Sequence, residues 1–153
     1  MERHELEDIA RIIERNLARM EEELSAYPDE ESVWSVAPGT TNSAGTLALH
    51  MSGNLLHYVG ALLGETGYIR DRDREFSERD VPRAELQARL REAASVVRDV
   101  FGSVPLERLR DTSEEFPERY RDRPFSFFVL HLTTHLSYHL GQVNYHRRFL
   151  SGD

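Results

Sequence analysis

The residues in this chain most able to do chemistry are its histidines. Of the seven, four lie in one stretch, FSFFVLHLTTHLSYHLGQVNYHRRFL, running from Phe125 to Leu150. From Phe125 to His146 there is no Asp, Glu, Lys or Arg, although such residues make up 30% of the chain. A helix of that composition is expected to be buried. At about 100° per residue, His131, His135, His139, Gln142 and His146 fall within an arc of roughly 80°, so the imidazoles form one polar seam on an apolar helix. Two His at i, i+4 are about 6 Å apart along the axis, and zinc–imidazole bonds of about 2.0–2.1 Å let such a pair share an ion. Residues at i, i+8 cannot share it, being about 12 Å apart. The spacing therefore offers His131 with His135, or His135 with His139, and geometry does not choose between them. The plain alternative is that these histidines hydrogen-bond one another, a backbone carbonyl or water.

A seam needs a partner, and a second stretch supplies one. Between Asn42 and Gly64 the sequence NSAGTLALHMSGNLLHYVGALLG is also free of Asp, Glu, Lys and Arg. Asn42 or Ser43 can cap this helix. His50, Asn54 and His57 follow an i, i+4, i+7 pattern that makes a narrow polar stripe. His50 and His57 are about 10 Å apart axially, too far to serve one ion together, so one of them can add a third ligand to the pair on the last helix. Gly53 and Gly60 each cost the helix about 1 kcal/mol relative to Ala, which points to the close approach of another backbone or to room for a ligand.

The elements that must position these residues follow from pattern and composition. With 153 residues the chain is read as a single domain, residues 1–153, large enough to fold without staples. The absence of Cys rules out disulfides, thiolate ligands and a Cys nucleophile. The start, MERHELEDIA, has no apolar signal-peptide core, and the His, Thr, Ser, Gln and Asn of the last helix interrupt any membrane span. A cytoplasmic protein is expected. A net charge of −8 argues against a nucleic-acid partner, which would require a basic patch.

Leu6, Ile9, Ile13, Leu17, Met20 and Leu24 mark a first packing helix, from Glu2 to Ala26. A third helix, from Pro82 to Phe101, places Leu86, Leu90, Ala94, Val97 and Phe101 inward. The last is expected to bury Phe128, Leu132, Leu136, Leu140, Val143 and Phe149. Trp34, in the connection after the first helix, reads as a core plug or as the lid of a pocket. The segment RDRDREF reads as a solvated connection anchored by Tyr68, Ile69 and Phe76. Four helices of about 20–26 residues make an all-α four-helix bundle. The links after the second and third helices are about 17 and 22 residues long, against about 2–8 for a simple hairpin. Long crossover connections of this kind predict an up-down-down-up order.

The strings NSAGTLALHMSGNLLHYV, RDRDREF and HLSYHLGQVNY resemble the DinB superfamily, the bacillithiol-transferase-like and YfiT-like four-helix bundles. The similarity extends over essentially the whole chain in helix order. One His on the second helix and HxxxH followed by Gln on the fourth is that superfamily's metal pattern, so the resemblance implies His50, His135 and His139 as ligands. His57, His131 and His146 are extra and receive no role from it. The resemblance further implies a divalent ion, zinc, nickel, iron or manganese, and metal-dependent transfer of a low-molecular-weight thiol to an electrophilic substrate. Asn54 and Gln142 would then support the ligands or hydrogen-bond the substrate. Two other readings remain: a metal-dependent hydrolase, which lacks a carboxylate base on either seam helix, and a non-catalytic metal-binding or stress-response bundle. A homodimer is expected, since bundles of this size with long apolar helices often pair.

Overall fold

The computed structural model describes residues 1–152. Helix α1 spans Arg3–Ser25. It starts at Glu2, whose side chain accepts from the backbone of Glu5 while the Glu5 carboxylate accepts from the Glu2 amide, so two otherwise orphaned donors are satisfied. Its 3–4 spaced apolar face is buried as the pattern predicts, with Leu6, Ile13, Leu17, Met20 and Leu24 fully enclosed. After the short helix α2 (Glu30–Trp34), the Trp34 indole lies flat on Gly45 and donates to the Val81 carbonyl at 3.2 Å. Trp34 thus packs one helix start against the next.

Helix α3 (Ala44–Leu55) is capped by Ser43, whose hydroxyl accepts from the Thr46 amide. All of its residues are buried, which follows from its lack of charge. It runs directly into a π-helical stretch, Leu56–Leu63, whose wider turn closes with Gly64 N–H donating to Val59 O at 2.9 Å. Gly60 and Gly64 face Val96 and Val100, and a Cβ on Gly64 would run into Val100. Glycine is needed there because another helix passes against the backbone.

The connection that follows departs from the sequence reading. Asp71 caps a short helix, α4 (Arg72–Ser77), by accepting from the Arg74 amide. Ile69, expected as an anchor, is 89% exposed, whereas Glu75, expected in solvent, is buried. Helix α5 (Arg83–Ser103) buries Leu86, Leu90, Ala93, Val97 and Phe101. Ala93 takes the place predicted for Ala94, which is half-buried, because the apolar stripe drifts by one residue across the helix. Two 3₁₀ turns, Leu106–Arg110 and Glu118–Tyr120, lead to α6 (Phe125–Ser151), which ends at Gly152 with φ 75°. Leu109 and Phe116 plug the core from this link. On α6, Phe149 is exposed, not buried, and Leu140 is half-buried. Phe149 follows Arg147 and Arg148, beyond the charge-free stretch, and faces the hollow beside residues 37–42.

The chain is all-helical, with no strand among the described residues. No described helix is long and apolar enough to cross a membrane. Between α1 and α5 the contacts run in opposite chain order: Arg3 with the carbonyls of Phe101 and Val104, Glu14 with Arg98, Glu21 with Arg91. Between α3 and α6 they do so too, with His50 beside His139 and Tyr58 beside Phe128. Between α1 and α6 the order is the same, Asn16 with Ser137 and Glu23 with Asn144. The apolar faces of these four long helices meet in one core.

Leu17 is fully enclosed and Ile12, on the same helix, is 37% exposed. Replacing Leu17 by Ala is expected to cost about 3–5 kcal/mol and Ile12→Ala about 1 kcal/mol or less. Urea unfolding followed by circular dichroism measures both; equal shifts in midpoint would contradict this core.

Candidate metal centre

The reversed crossing of α3 and α6 sets His50 against two consecutive turns of α6. His50, His135 and His139 each offer a ring nitrogen within 4.8 Å of the other two. The Nε2 atoms of His135 and His139 are 2.9 Å apart. The rings meet edge-on: His50 lies 5.3 Å from His135 and 5.4 Å from His139, with interplanar angles of 84° and 90°. Of the two pairs that spacing allowed on the last helix, the one that converges with His50 is His135 with His139.

The outward nitrogens decide what the inward ones can do. His50 Nδ1 lies 3.0 Å from Glu75 Oε2, and His139 Nδ1 lies 2.7 Å from Gln142 Oε1. A carboxylate and an amide oxygen can only accept, so both Nδ1 atoms carry protons, and the His139 Nε2 lone pair accepts from His135 Nε2–H at 2.9 Å. His135 Nδ1 is buried without a partner, as is Asn54 Oδ1 on the helix opposite. Asn54 thus lies one turn beyond His50 with an unused acceptor, and it makes no hydrogen bond to the three imidazoles through that oxygen.

Burial holds the two α6 rings, His135 and His139, neutral. His135 is pushed down to about 3, first by desolvation and then by the proximity of His139, His50, His131 and Arg70. His139 is also lowered by desolvation, with His50 adding to it and the Gln142 hydrogen bond opposing. Neutral imidazoles are what a divalent ion requires, and an ion bound here would displace the proton shared between His135 Nε2 and His139 Nε2. This donor set fits zinc, nickel, iron or manganese, since imidazole suits several of these and no thiolate is present to select among them.

Glu75 is the site residue that sequence reasoning missed. It arrives from the charged segment RDRDREF and is 7% exposed. Arg70 clamps it, with Nε donating to Oε1 at 2.6 Å and NH2 donating to Oε2 at 2.9 Å. Burial alone would raise its pKa, but the hydrogen bonds from His50 and Arg70 and the Arg70 charge outweigh that and hold it below the usual carboxylate range. Gly53 makes the approach possible, because a Cβ at that position would overlap the Glu75 carboxylate. The available signal was that glycine, whose neighbour proves to be a side chain and not a backbone. The Phe76 ring completes the cover, 4.9 Å from His50.

The other histidines lie outside the converging three. His131 stacks on His135 at 5.8 Å, and its ring meets that of Tyr120 in a tilted contact at 4.6 Å. His57 meets Glu115 at 3.4 Å, and His146 sits 2.7 Å from the Tyr27 hydroxyl.

The pH dependence of stability follows from these shifts. His135, His139, His131 and His57 all titrate below the ordinary value of 6.5 in the folded chain, with burial the largest cause. Below 6.5 the unfolded chain therefore binds more protons than the folded one. The stability they permit is complete above that pH and declines as pH falls toward the folded values, about 3 for His135. The urea midpoint of metal-free protein is expected to be lower at pH 5 than at pH 7.5. Identical midpoints would show that the histidines are not buried neutral.

In comparisons with known proteins, the model of the DinB superfamily matches residues 12–143, and the chain belongs to that superfamily. No curated protein and no solved structure compared with it gives a match.

Proposed function

We propose that this member of the DinB superfamily binds one divalent ion through His50, His135 and His139 and uses it to transfer a low-molecular-weight thiol to an electrophile. The carrying observation is the convergence of three ring nitrogens within 4.8 Å, with burial keeping the α6 pair neutral. A divalent ion held there supplies positive charge that favours a thiolate over a thiol. Three protein ligands leave an exchangeable position, the pattern of catalytic zinc sites.

The chain's own contribution is orientation. Glu75 accepts from His50 Nδ1–H and Gln142 from His139 Nδ1–H, which fixes each ring's tautomer and direction. Arg70 offsets the Glu75 charge, so the carboxylate orients His50 without adding a net negative charge beside it. In the transfer itself the sulfur's electron pair forms the S–C bond and the S–H proton passes to solvent. The leaving group departs with its bonding pair, or, for a strained ring or conjugated double bond, that pair moves onto the substrate and takes up a proton.

The hydrolase reading would need a free carboxylate base. Glu75 is close, but both of its oxygens are engaged by Arg70 and His50, which favours thiol transfer. The same proposal takes α1, α3, α5 and α6 as an up-down-down-up four-helix bundle with crossover links. The reversed contact order of α1 with α5 and of α3 with α6, and the matching order of α1 with α6, support it.

Elemental analysis of purified protein is expected to give near-stoichiometric metal that His50→Ala and His135→Ala both lose. Glu75→Gln is expected to weaken metal affinity about 10–100-fold. Conjugation of N-acetylcysteine with monochlorobimane should accelerate only in metal-loaded protein. Failure to bind any added divalent ion would sink the metal reading, and metal-loaded protein no faster than metal-free protein would leave a non-catalytic metal-binding bundle.

We also propose a homodimer, supported by exposed Ile12, Phe127 and Leu130, which lie on adjoining turns of α1 and α6. Sedimentation should show dimer for the natural chain and monomer for Leu130→Glu; a concentration-independent monomer mass for the natural chain would end this proposal.

A further inference from the structure

A cavity of about 450 Å³ opens where residues 37–42 pass over the start of α3 and the last turns of α6. Leu47 and Val143 form its floor, and the exposed rings of Tyr145 and Phe149 form its rim. Its polar groups are uncharged hydroxyls and amides such as Thr41, Asn42 and Gln142. No Asp, Glu or Arg lines it; its one imidazole, His146, is buried, with Nδ1 held by the Tyr27 hydroxyl and Nε2 without a partner. A second hollow, beside Trp34, shows the contrast, being walled by Glu30, Glu31, Arg79 and Asp80 and sharing no residue with the imidazole group.

The uncharged cavity adjoins the three imidazoles. Leu47 precedes His50 by three residues and Val143 follows His139 by four, offsets of about 4.5 Å and about 6 Å along the two helices. Gln142 belongs to both places, lining the cavity while accepting from His139. In the other direction the seam between α3 and α6 is closed. Phe116 stacks on Phe128 at 4.1 Å and Tyr58 packs on Phe128 at 4.7 Å. Along the seam the imidazoles are therefore approached from the cavity side, while the half-exposed His135 and His139 also meet solvent directly.

We infer that this cavity binds a neutral, predominantly apolar small molecule, the acceptor in the proposed transfer. The volume and the mixture of apolar wall with a few polar groups are those of ligand pockets, about 300–1,000 Å³. A carboxylate or ammonium entering it would give up hydration and meet no opposite charge, whereas a neutral ring loses nothing and covers Leu47, Val143 and the two rim aromatics. That the ligand is an acceptor rests on the thiol-transfer reading; that it is neutral and apolar rests on the cavity alone.

The experiment uses three matched fluorescent probes, 2-naphthylmethanol, 2-naphthoate and 2-naphthylmethylammonium, titrated into metal-free and metal-loaded full-length protein. The alcohol is expected to bind both forms at least about tenfold more tightly than either ion, since each 1.4 kcal/mol of unpaid desolvation is a factor of ten. Tyr145→Ala combined with Phe149→Ala, both exposed and free of core packing, should weaken the alcohol about tenfold with no change in helix content. Equal or tighter binding of an ion, binding unmoved by the rim variants, or no binding of the alcohol overturns the inference. So does affinity that falls as protein concentration rises, because a second copy would then occupy the rim. If the alcohol binds but no metal does, the transfer reading fails and the cavity stands; if metal binds and the alcohol does not, the reverse holds.

Discussion

His135 and His139 can sit half-buried side by side, against a buried His50, only if neither of the two carries a proton too many. Two positive rings at the 2.9 Å separation of His135 and His139 would repel strongly in a medium that screens poorly. Much of the surrounding structure serves this condition. The charge-free faces of α3 and α6 remove water and so penalise the charged form, and Glu75 and Gln142 each accept a hydrogen bond from an outward Nδ1–H, which turns Nε2 inward. What results is that His135 and His139 are poor proton acceptors. Burial, which usually makes a polar cluster a liability, here tunes its chemistry.

Glu75 shows how closely stability and chemistry are joined. A buried carboxylate is unfavourable unless it is paired and hydrogen-bonded, and Arg70 is buried with it to meet that need. The pair lies against the backbone of Gly53, in space that any side chain would take. One glycine in an apolar helix therefore fixes where a carboxylate from a distant surface segment can rest, and that carboxylate fixes the direction of His50. The glycines further along the same helix do different work. Gly60 and Gly64 let α5 close on α3, which holds the helix carrying His50 at the depth where α6 can meet it.

The molecule has two ends of unlike character along the α3–α6 seam. Aromatic stacking of Tyr58, Phe116 and Phe128 makes one end solid. The other is an uncharged hollow beneath a loop. The imidazoles lie between them, so that a rigid, dry wall backs the group and an apolar opening faces it. Such an asymmetry excludes water from one side while leaving a path on the other, a useful condition wherever a sulfur nucleophile must be kept from competing solvent.

Much of this was legible in the sequence. The 3–4 spacing of Leu6 through Leu24, the Ser43 cap and the two charge-free stretches fixed the helices and named the faces that had to be buried, because periodicity and charge act locally. The same spacing showed that His135 must pair with a neighbour one turn away. It could not say which neighbour, because His131 and His139 are equivalent along the helix and differ only in what stands across from them. That choice was made by the crossing of α3 over α6, as was the presence of Glu75, which looks like one more solvated charge until Arg70 and Gly53 make room for it. Exposure of Phe149 and Ile69 was hidden for the same reason: composition says that a residue prefers burial, and only the arrangement of the other helices determines whether there is anything to bury it against.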